Sequence, residues 1–387
     1  MGNAYIVVID GLGIGAQHDA AEYGDEQANT LAHVCHETGS KLSNFGVLGL
    51  GNIIDIPSIP STEKPIAAYG KMQEQSAGKD STTGHWEIAG IRLEQPFPVY
   101  KDGFPDEVIT DFCNKTGVDD VLCNKPYSGT EVINNYGEEH MRTGNPIVYT
   151  SADSVFQVAC HVEVTPLETL YNWCQIAREQ IMQGHHGVGR VIARPFEGQP
   201  GKFERIGDKR HDYSIQTPKH NLLTVLQQAD IDVYSIGKII DLFAGHEFTQ
   251  FRRTKSNAEG LSQLLSSMSA VQDSLVFVNL IDTDQKYGHR QDPDGFAEAL
   301  EEIDRAIPAI ISKIEQNDLL IITGDHGNDP TDDSTDHTRE YVPLLVFPGN
   351  KFTKQDLGLR DTFADVAATV AHFFGIEERF GAQSFFD

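Results

Sequence analysis

The sequence predicts an α/β protein with a central, mostly parallel β-sheet flanked by helices and with a second α/β domain inserted into the chain. Short β-branched runs alternate with amphipathic segments whose apolar residues recur at helical spacing. Such alternation is typical of parallel sheets with helical crossovers. Residues suited to catalysis or metal binding occur in two blocks, before about residue 90 and after about residue 280. A single site built from both blocks requires the middle of the chain to form the insertion.

The individual elements follow from local patterns. Runs rich in β-branched residues predict strands at 5–9, 147–150, 190–193, 231–236, 275–281, 319–323 and 342–347. Amphipathic runs predict helices at 167–182, 295–314 and 363–374. Proline-containing stretches at 95–98 and 213–218 predict extended connections, because the residue before a proline avoids helical geometry. We therefore expect a core of residues 1–97 and 217–387 and an inserted cap domain of residues 98–216.

The composition limits the classes of partner. The 387 residues include 30 lysines and arginines but 57 aspartates and glutamates, which gives a net charge of −27 with histidine neutral. A surface this negative repels nucleic-acid phosphates and anionic lipids, so neither nucleic acid nor a membrane is an expected partner. No apolar run approaches the roughly 18 residues of a membrane helix, and the first residues do not resemble a signal peptide. Five scattered cysteines without a C-x-x-C pair indicate reduced thiols and a cytoplasmic protein.

Asp10 ends the first predicted strand, in the segment Y-I-V-V-I-D-G-L-G-I-G. The glycines do not have the G-x-G-x-x-G spacing of a dinucleotide-binding turn. A carboxylate at this position repels a phosphate unless a divalent cation lies between the two. We interpret Asp10 as a metal ligand at a strand end; the alternative is that it caps the next helix.

Two further groups of carboxylates and imidazoles follow predicted strands near the C-terminus. Strand 275–281 leads into D-T-D-Q-K-Y-G-H, and strand 319–323 leads into G-D-H-G. With the first strand and a later loop, they supply six candidate metal ligands: Asp10, Asp284, His289, Asp325, His326 and His337. Imidazole and carboxylate without thiolate suit manganese, zinc or iron. Three aspartates and three histidines are too many for one tetrahedral site but fit two metal ions that share a bridging group.

Ser81 is the candidate nucleophile, in the polar segment G-K-D-S-T-T-G-H-W-E. A serine hydroxyl is a weak nucleophile and needs a base or a metal ion to activate it. The sequence has no G-x-S-x-G pattern of the esterase type, so metal coordination is the available route. The alternative is a Ser/Thr-rich loop that only caps a helix.

Several of these segments resemble one family. V-I-D-G-L-G-I-G, G-K-D-S-T-T-G-H-W-E, D-x-D-x-x-Y-G-H-R, G-D-H-G-N-D-P and T-D-H-T-R-E occur in this order along the chain. Together they resemble the phosphopentomutase family of the alkaline phosphatase superfamily, over nearly the whole chain. The resemblance implies an alkaline-phosphatase-like core and an enzyme that interconverts ribose 1-phosphate and ribose 5-phosphate, and the 2-deoxyribose equivalents.

The resemblance also implies a cofactor set and a covalent intermediate. Two manganese ions are expected, with a phosphorylated hydroxyl at Ser81 between them. One ion would be held by Asp284, His289 and His337, and the other by Asp10, Asp325 and His326. The better-known members carry threonine where this chain has Ser81, and serine is chemically adequate in its place. Activation of the enzyme by a sugar bisphosphate is implied as well.

Substrate binding is expected from the cap and from one lysine of the core. The substrates would be small pentose phosphates, and Asp153 would accept hydrogen bonds from ribose hydroxyls. Arg190, Arg205 and Lys238 resemble the family's contacts to the distal phosphate, a role that suits the bidentate arginine fork. Arg210 is a further candidate for the same pocket.

Two alternatives stay open on the sequence. One is another phosphomutase or a phosphatase of the superfamily, although phosphoglycerate mutases carry N-S-x-x-G-H rather than D-S-T-T-G-H-W-E. The other is a non-catalytic, acidic metal-binding protein, which would take up metal without any phosphate transfer. The sequence makes no prediction of the oligomeric state.

Overall fold

The computed structural model describes residues 2–151, 154–352 and 355–387. The chain divides into two compact units. The first is made of the residues up to Gln95 and from Thr217 onward, and the second is Pro96–Gln216. The cap domain expected from the sequence spans residues 98–216, and the second unit spans residues 96–216.

The seven predicted strands and three predicted helices are all present; strands 147–150, 319–323 and 342–347 have the predicted ends, and the ends of the others are shifted. The strands are β1 (Ala4–Ile9), β2 (Ala68–Met72), β3 (Leu122–Pro126), β4 (Ile147–Thr150), β5 (Val155–His161), β6 (Arg190–Gln199), β7 (Lys202–Arg205), β8 (His211–Ser214), β9 (Asp232–Ile236), β10 (Gln250–Arg252), β11 (Ser274–Leu280), β12 (Leu319–Thr323), β13 (Val342–Phe347) and β14 (Asp356–Arg360). The helices are α1 (Thr30–Thr38), α2 (Ser43–Leu48), α3 (Ser81–Ile88), α4 (Asp106–Thr116), α5 (Glu131–Thr143), α6 (Leu167–Gln180), α7 (Leu222–Gln228), α8 (Ile239–Leu242), α9 (Asn257–Ser267), α10 (Pro293–Lys313) and α11 (Asp365–Phe373).

The first unit contains an eight-stranded sheet in the order β10-β9-β11-β1-β12-β13-β2-β14. Five neighbouring strands, from β10 to β12, run parallel, and only β13 is antiparallel to both of its neighbours. The prediction of an α/β fold with a mostly parallel central sheet is therefore confirmed. Parallel strands covered on both faces are apolar throughout rather than alternating, and every residue of β1, β11 and β12 is buried.

The apolar core on one side of this sheet explains the longest helix. Tyr5 and Val7 of β1 belong to the same cluster as Phe296, Leu300 and further residues of α10. These α10 residues recur at helical spacing and form one apolar stripe. The packing holds the middle strand of the sheet in place, and with it the loop that follows β1.

The second unit is a six-stranded sheet in the order β3-β4-β5-β6-β7, with β8 paired to the first part of β6. Successive residues of β4 point to opposite faces, as the period of a strand requires. Val148 packs with α4 and α6, whereas Tyr149 packs with α5. Helices therefore cover both faces of this sheet as well.

No helix among the described residues is both long enough and apolar enough to cross a membrane.

Candidate metal centre and nucleophile

The candidate ligands of the first unit lie at the carboxyl ends of three adjacent strands. Asp10 follows β1 directly, and β1 lies between β11 and β12. Asp284 lies in a π-helical turn, Thr283–Tyr287, after β11, and Asp325 and His326 follow β12. Because the three strands are parallel, their carboxyl ends meet at one edge of the sheet, where ligands of such sheets bind. All four side chains are buried there.

Asp10, Asp284 and His326 form the first group of candidate ligands. Each offers one atom, and these atoms lie within 4.8 Å of one another. The Nε2 atom of His326 lies 3.5 Å from Oδ1 of Asp10. Its Nδ1 atom donates a hydrogen bond to the Gly327 carbonyl at 2.9 Å, so Nε2 is the nitrogen that faces the carboxylates. This orientation of a histidine by its second nitrogen is common among metal ligands.

Asp284, His289 and His337 form the second group, again with one atom of each within 4.8 Å. Oδ1 of Asp284 lies 3.4 Å from Nε2 of His289 and 3.3 Å from Nε2 of His337. The Nδ1 atom of His289 donates to the Thr335 carbonyl at 2.7 Å. Asp284 thus belongs to both groups of candidate ligands, and the division of the ligands between two metal ions stays a prediction from the sequence.

Asp325 lies beside these groups and has one unsatisfied oxygen. Its Oδ1 atom accepts a hydrogen bond from the Gly11 N–H at 3.1 Å, whereas Oδ2 is buried without a hydrogen-bond partner. Two ring nitrogens lie close to Oδ2, His85 Nδ1 at 3.0 Å and His326 Nε2 at 3.3 Å. The Nδ1 proton of His85 is directed instead to the Ser81 carbonyl at 2.8 Å. A buried carboxylate oxygen without a donor fits a cation.

The charges at this edge also fit divalent cations. Burial would raise the pKa of Asp284, but His337 and Lys238 outweigh it and hold this pKa well below its usual range. Burial would likewise lower the pKa of His326, yet Asp325 and the other carboxylates raise it well above its usual range. The raised pKa of His326 expresses the negative charge of the carboxylates around it, and the lowered pKa of Asp284 means that this carboxylate keeps its own negative charge. Nitrogen and oxygen donors without thiolate complete a set that suits manganese or zinc.

Ser81 begins α3 beside these carboxylates. Its hydroxyl donates to Oδ1 of Asp10 at 3.3 Å and lies 3.1 Å from Nε2 of His326. The helix is capped by Asp80, whose carboxylate accepts from the N–H groups of Thr82 and Thr83. The capping role proposed as an alternative for this segment therefore belongs to Asp80, and the Ser81 hydroxyl faces the candidate ligands.

Lys238 lies with the same carboxylates. Its ammonium is 3.1 Å from Oδ2 of Asp10 and 3.6 Å from Oδ2 of Asp284. Burial would lower the pKa of Lys238, but these two carboxylates outweigh it and raise the pKa.

The other expected substrate residues belong to the second unit. Arg190 begins β6 and lies 3.6 Å from Oδ2 of Asp212. Arg205 ends β7. Arg210 holds both oxygens of Asp212 at 2.6 Å. Asp153 lies outside the described residues.

Two buried residues without an expected role connect the candidate ligands to Ser81. The Nε2 atom of His85 accepts a hydrogen bond from the side-chain amide of Asn279 at 3.2 Å. The same amide donates to Oδ2 of Asp10 at 3.2 Å. His85 lies four residues after Ser81 on α3, which is one helical turn. That spacing inside a polar segment is the signal by which the sequence could have singled it out.

Arg339, from the segment T-D-H-T-R-E, supports the loop that precedes α3. Its guanidinium donates to the carboxylate of Glu74 at 2.8 Å and to the carbonyls of Ser76 and Gly78 at 2.9 and 2.6 Å. It also binds the carboxylate of Asp19 at 2.9 Å. The loop with candidate ligand His337 and the loop that leads to Ser81 are thereby held by one side chain.

Comparison with known proteins identifies the family. The model of the metalloenzyme superfamily matches residues 2–378. A phosphopentomutase of Dictyoglomus turgidum is 52% identical over 386 residues, which cover 100% of this chain and 97% of that protein. Phosphopentomutases of Caldanaerobacter subterraneus subsp. tengcongensis and Deinococcus radiodurans are 52% and 53% identical, over 96% of this chain and 94% and 96% of their own lengths. The resemblance stated from the sequence is thus confirmed, and the chain belongs to the phosphopentomutase family within the metalloenzyme superfamily.

Proposed function

We propose that the chain moves a phosphate between the 1- and 5-oxygens of ribose, and of 2-deoxyribose, through a phosphoserine at Ser81 and a pentose bisphosphate. Membership of the phosphopentomutase family makes it an isomerase. The observation that carries the proposed chemistry is the Ser81 hydroxyl, 3.3 Å from Asp10 and 3.1 Å from His326, beside both groups of candidate ligands. Neither a phosphoglycerate mutase nor a non-catalytic metal-binding protein accounts for the similarity of this chain to phosphopentomutases.

Two divalent metal ions, which we propose to be manganese, would be held by the six candidate ligands. Asp284, His289 and His337 would bind one ion, and Asp10, Asp325 and His326 the other. Such ions offset the charge of the transferring phosphoryl group and lower the pKa of the serine hydroxyl. The buried, donor-free Oδ2 of Asp325 and the surplus of negative charge around His326 support this assignment.

The proposed reaction consumes no external phosphate donor, because Ser81 gives up one phosphate and takes back another in each turnover. The free hydroxyl of the pentose phosphate attacks the phosphorus of phosphoserine in line, and the Ser81 oxygen leaves. The bisphosphate so formed reorients, and Ser81 takes back the other phosphate. Whenever Ser81 is free, its hydroxyl donates a hydrogen bond to Asp10, which would orient the serine oxygen before it takes up the phosphate. Because Ser81 is the first residue of α3, a phosphate on it also lies at the positive end of the helix dipole.

Further parts of the proposal concern substrate, activation and location. Arg190, Arg205, Lys238 and Asp153 would bind the pentose phosphate. A sugar bisphosphate would phosphorylate Ser81 before the first turnover. The cytoplasm would be the compartment, in keeping with five cysteines that are all free.

Replacement of the nucleophile tests the proposal. Ser81→Ala should abolish the phosphoprotein, measured by intact mass, and should lower isomerisation of ribose 5-phosphate by about a thousandfold or more. Thr82→Ala is the matched control, because it removes a neighbouring hydroxyl that is only partly buried. The control should keep both properties. Continued isomerisation by the Ser81→Ala protein with manganese would refute the assignment of the nucleophile.

A further inference from the structure

Glu340 is a buried carboxylate that the candidate metal centre does not use directly. It is the glutamate of the segment T-D-H-T-R-E, three residues after candidate ligand His337, and it is only 1% exposed. A carboxylate buried this completely is strongly unfavourable unless hydrogen-bond donors satisfy its oxygens. The structure supplies donors to both oxygens, and they come from three separate segments of the first unit.

Four hydrogen bonds hold the Glu340 carboxylate. Oε2 accepts from the backbone N–H groups of Gly15 at 2.9 Å and Thr30 at 3.0 Å. Oε1 accepts from the hydroxyls of Thr30 at 2.6 Å and Thr338 at 2.7 Å. Thr30 is the first residue of α1, a helix of nine residues, so the carboxylate also lies at the positive end of a helix dipole. One side chain thus joins the loop after β1, the start of α1 and the residue that follows His337.

Two glycines allow the backbone to approach this carboxylate closely. A Cβ atom added to Gly13 would lie 2.3 Å from Oε2 of Glu340, and one added to Gly327 would lie 2.3 Å from Oε1. Gly13 belongs to the glycine-rich turn after Asp10, and Gly327 follows candidate ligand His326. The glycine-rich turn, whose spacing does not fit a dinucleotide-binding turn, therefore packs against a carboxylate of the chain itself.

A further row of hydrogen bonds leads from Glu340 to Asp284, the ligand that belongs to both groups. The Thr30 hydroxyl, which donates to Glu340, accepts the N–H of Asn328 at 3.1 Å. The side-chain amide of Asn328 donates to Oδ1 of Asp284 at 2.8 Å. Thr30 and Asn328 are both buried. The position of Asp284 is therefore connected to Glu340 through two buried polar side chains.

The residues that follow His326 and His337 are paired with each other. Gly327 donates to the Thr338 carbonyl at 3.0 Å, and Thr338 donates in return to the Gly327 carbonyl at 2.8 Å. The Thr338 hydroxyl then fixes this pair to Glu340. Groups that orient metal ligands from behind contribute to metal affinity without touching the ion.

We propose that Glu340 is a positioning residue of the metal centre, and that its hydrogen bonds hold the segments of four candidate ligands in the arrangement that binds manganese: Asp10, Asp284, His326 and His337. The inference rests on the proposed function for the identity of the ion and its ligands. The hydrogen-bond network itself is independent of the reaction that the centre supports.

Two substitutions disturb the network, and a third should restore it. Glu340→Gln replaces one acceptor oxygen with an amide nitrogen, which is a donor. At Oε1 that nitrogen would leave the Thr30 hydroxyl without its acceptor, and at Oε2 it would face two N–H groups. Thr30→Val removes the hydroxyl at nearly constant shape. Thr30→Ser keeps the hydroxyl and is the conservative variant that should rescue binding.

Asp304→Asn is the control for a loss of stability alone. Asp304 is another buried carboxylate of the first unit, on α10, and its Oδ1 atom accepts from the N–H groups of Asn44 and Phe45 at 2.9 Å each. It therefore anchors the start of α2 much as Glu340 anchors the start of α1. The segments that it joins carry none of the candidate ligands.

Calorimetry measures manganese binding to the full-length proteins, and melting temperatures are recorded with and without the ion. We expect Glu340→Gln to lower manganese affinity by about 10- to 100-fold and Thr30→Val by about tenfold, the range seen when groups that orient ligands are lost. Thr30→Ser should bind manganese within about threefold of the unaltered protein. Asp304→Asn should melt earlier without metal yet keep the manganese affinity of the unaltered protein.

Manganese affinities of Glu340→Gln and Thr30→Val within about twofold of the unaltered protein would overturn the proposal, because Glu340 would then serve stability alone. Equal weakening in Asp304→Asn would overturn it too, since any loss of stability would then reach the metal centre. If Glu340→Gln does not fold, the comparison of Thr30→Val with Thr30→Ser decides the matter.

Isomerisation of ribose 5-phosphate by the unaltered protein separates this inference from the proposed function. Isomerisation together with unchanged manganese affinity in the variants would overturn the positioning role of Glu340 alone. Weakened manganese binding in the variants, without isomerisation by the unaltered protein, would support the positioning role and overturn the proposed function.

Discussion

His85 uses both ring nitrogens to connect the candidate nucleophile with a candidate metal ligand. Its Nδ1 proton is held by the Ser81 carbonyl, and its Nε2 atom accepts from Asn279, which also holds Asp10. The ring is fully buried and stacks on Phe277 with centroids 5.9 Å apart. A residue in this position does not touch the reacting atoms. It positions the first turn of α3 against the carboxylates.

Replacement of His85 should therefore affect metal binding and turnover more than substrate affinity. His85→Gln should lower kcat and the affinity for manganese by about 10- to 100-fold, the range seen when groups that orient metal ligands are lost, with little change in KM. Manganese affinity is measured by calorimetry, independently of activity. The control is His36→Gln, which changes an exposed histidine of α1. Manganese affinity and kcat within twofold of the parent would show that His85 is only structural.

The sequence could predict which residue types form the site but not all of their pairings. Most of the aspartates and histidines were recognisable because they follow a strand in a polar segment, and His337 was recognisable from the motif of its loop. Asp284 enters both groups because a π-helical turn carries it after β11, and no pattern in the sequence indicates such a turn.

At the scale of elements, strands formed by long apolar runs were predicted from the sequence, whereas strands that contain polar residues were missed. The strand β5 (V-F-Q-V-A-C-H) is buried throughout, but its glutamine and histidine interrupt the apolar run by which a buried strand is recognised in a sequence. His161 is accommodated because its Nε2 atom bonds the Gly198 carbonyl at 3.0 Å and its ring packs on Phe196. The antiparallel direction of β13 was likewise outside the sequence pattern, because periodicity does not distinguish strand directions.

His140 of α5 makes the second unit sensitive to acid. Its Nδ1 atom donates to the Asn145 carbonyl at 2.8 Å, and Nε2 accepts from the His161 N–H at 2.9 Å. The bond that Nε2 accepts requires the neutral ring, and burial lowers the pKa of His140. The unfolded state, with a pKa of about 6.5, then binds a proton more readily than the native state. The contribution to stability is present above about pH 6.5 and is lost as the pH falls towards the native pKa.

We expect the free energy of unfolding to fall by up to about 1.4 kcal/mol per pH unit below pH 6.5 through this group. His140→Gln keeps an amide that can donate and accept but cannot be protonated in this range. Denaturant unfolding at pH 7.5, 6.5 and 5.5 compares the two full-length proteins. The variant should lose less stability than the parent protein between pH 6.5 and 5.5. Parallel pH profiles would contradict this account of His140.

At the scale of the whole molecule, the sign of the local charge differs between the units. The chain carries a net charge of −27, and carboxylates are concentrated at the sheet edge of the first unit. The second unit gathers four arginines around Tyr149 and Asp212. We expect a phosphorylated sugar to be attracted in the first unit by bound cations and by Lys238, and in the second unit by arginine. The acidic composition predicted the need for cations, and the resemblance of Arg190 and Arg205 to the family's phosphate contacts predicted the role of arginine.

We therefore expect bound cations to stabilise the folded protein in addition to supporting catalysis. The candidate ligands come from residues 10, 284, 289, 325, 326 and 337, so the unfolded chain offers no preformed site and metal binds the native state selectively. Manganese at a hundred times its dissociation constant adds about 2.7 kcal/mol, which corresponds to a rise in melting temperature of about 3 to 5 °C for a protein of this size. Calorimetric melting with manganese and after chelation measures the difference. Asp284→Asn should abolish the rise, because Asp284 belongs to both groups of ligands, whereas the exposed Asp333→Asn should retain it. Identical melting temperatures with and without the ion in the unaltered protein would mean that these carboxylates do not hold a metal in the folded state.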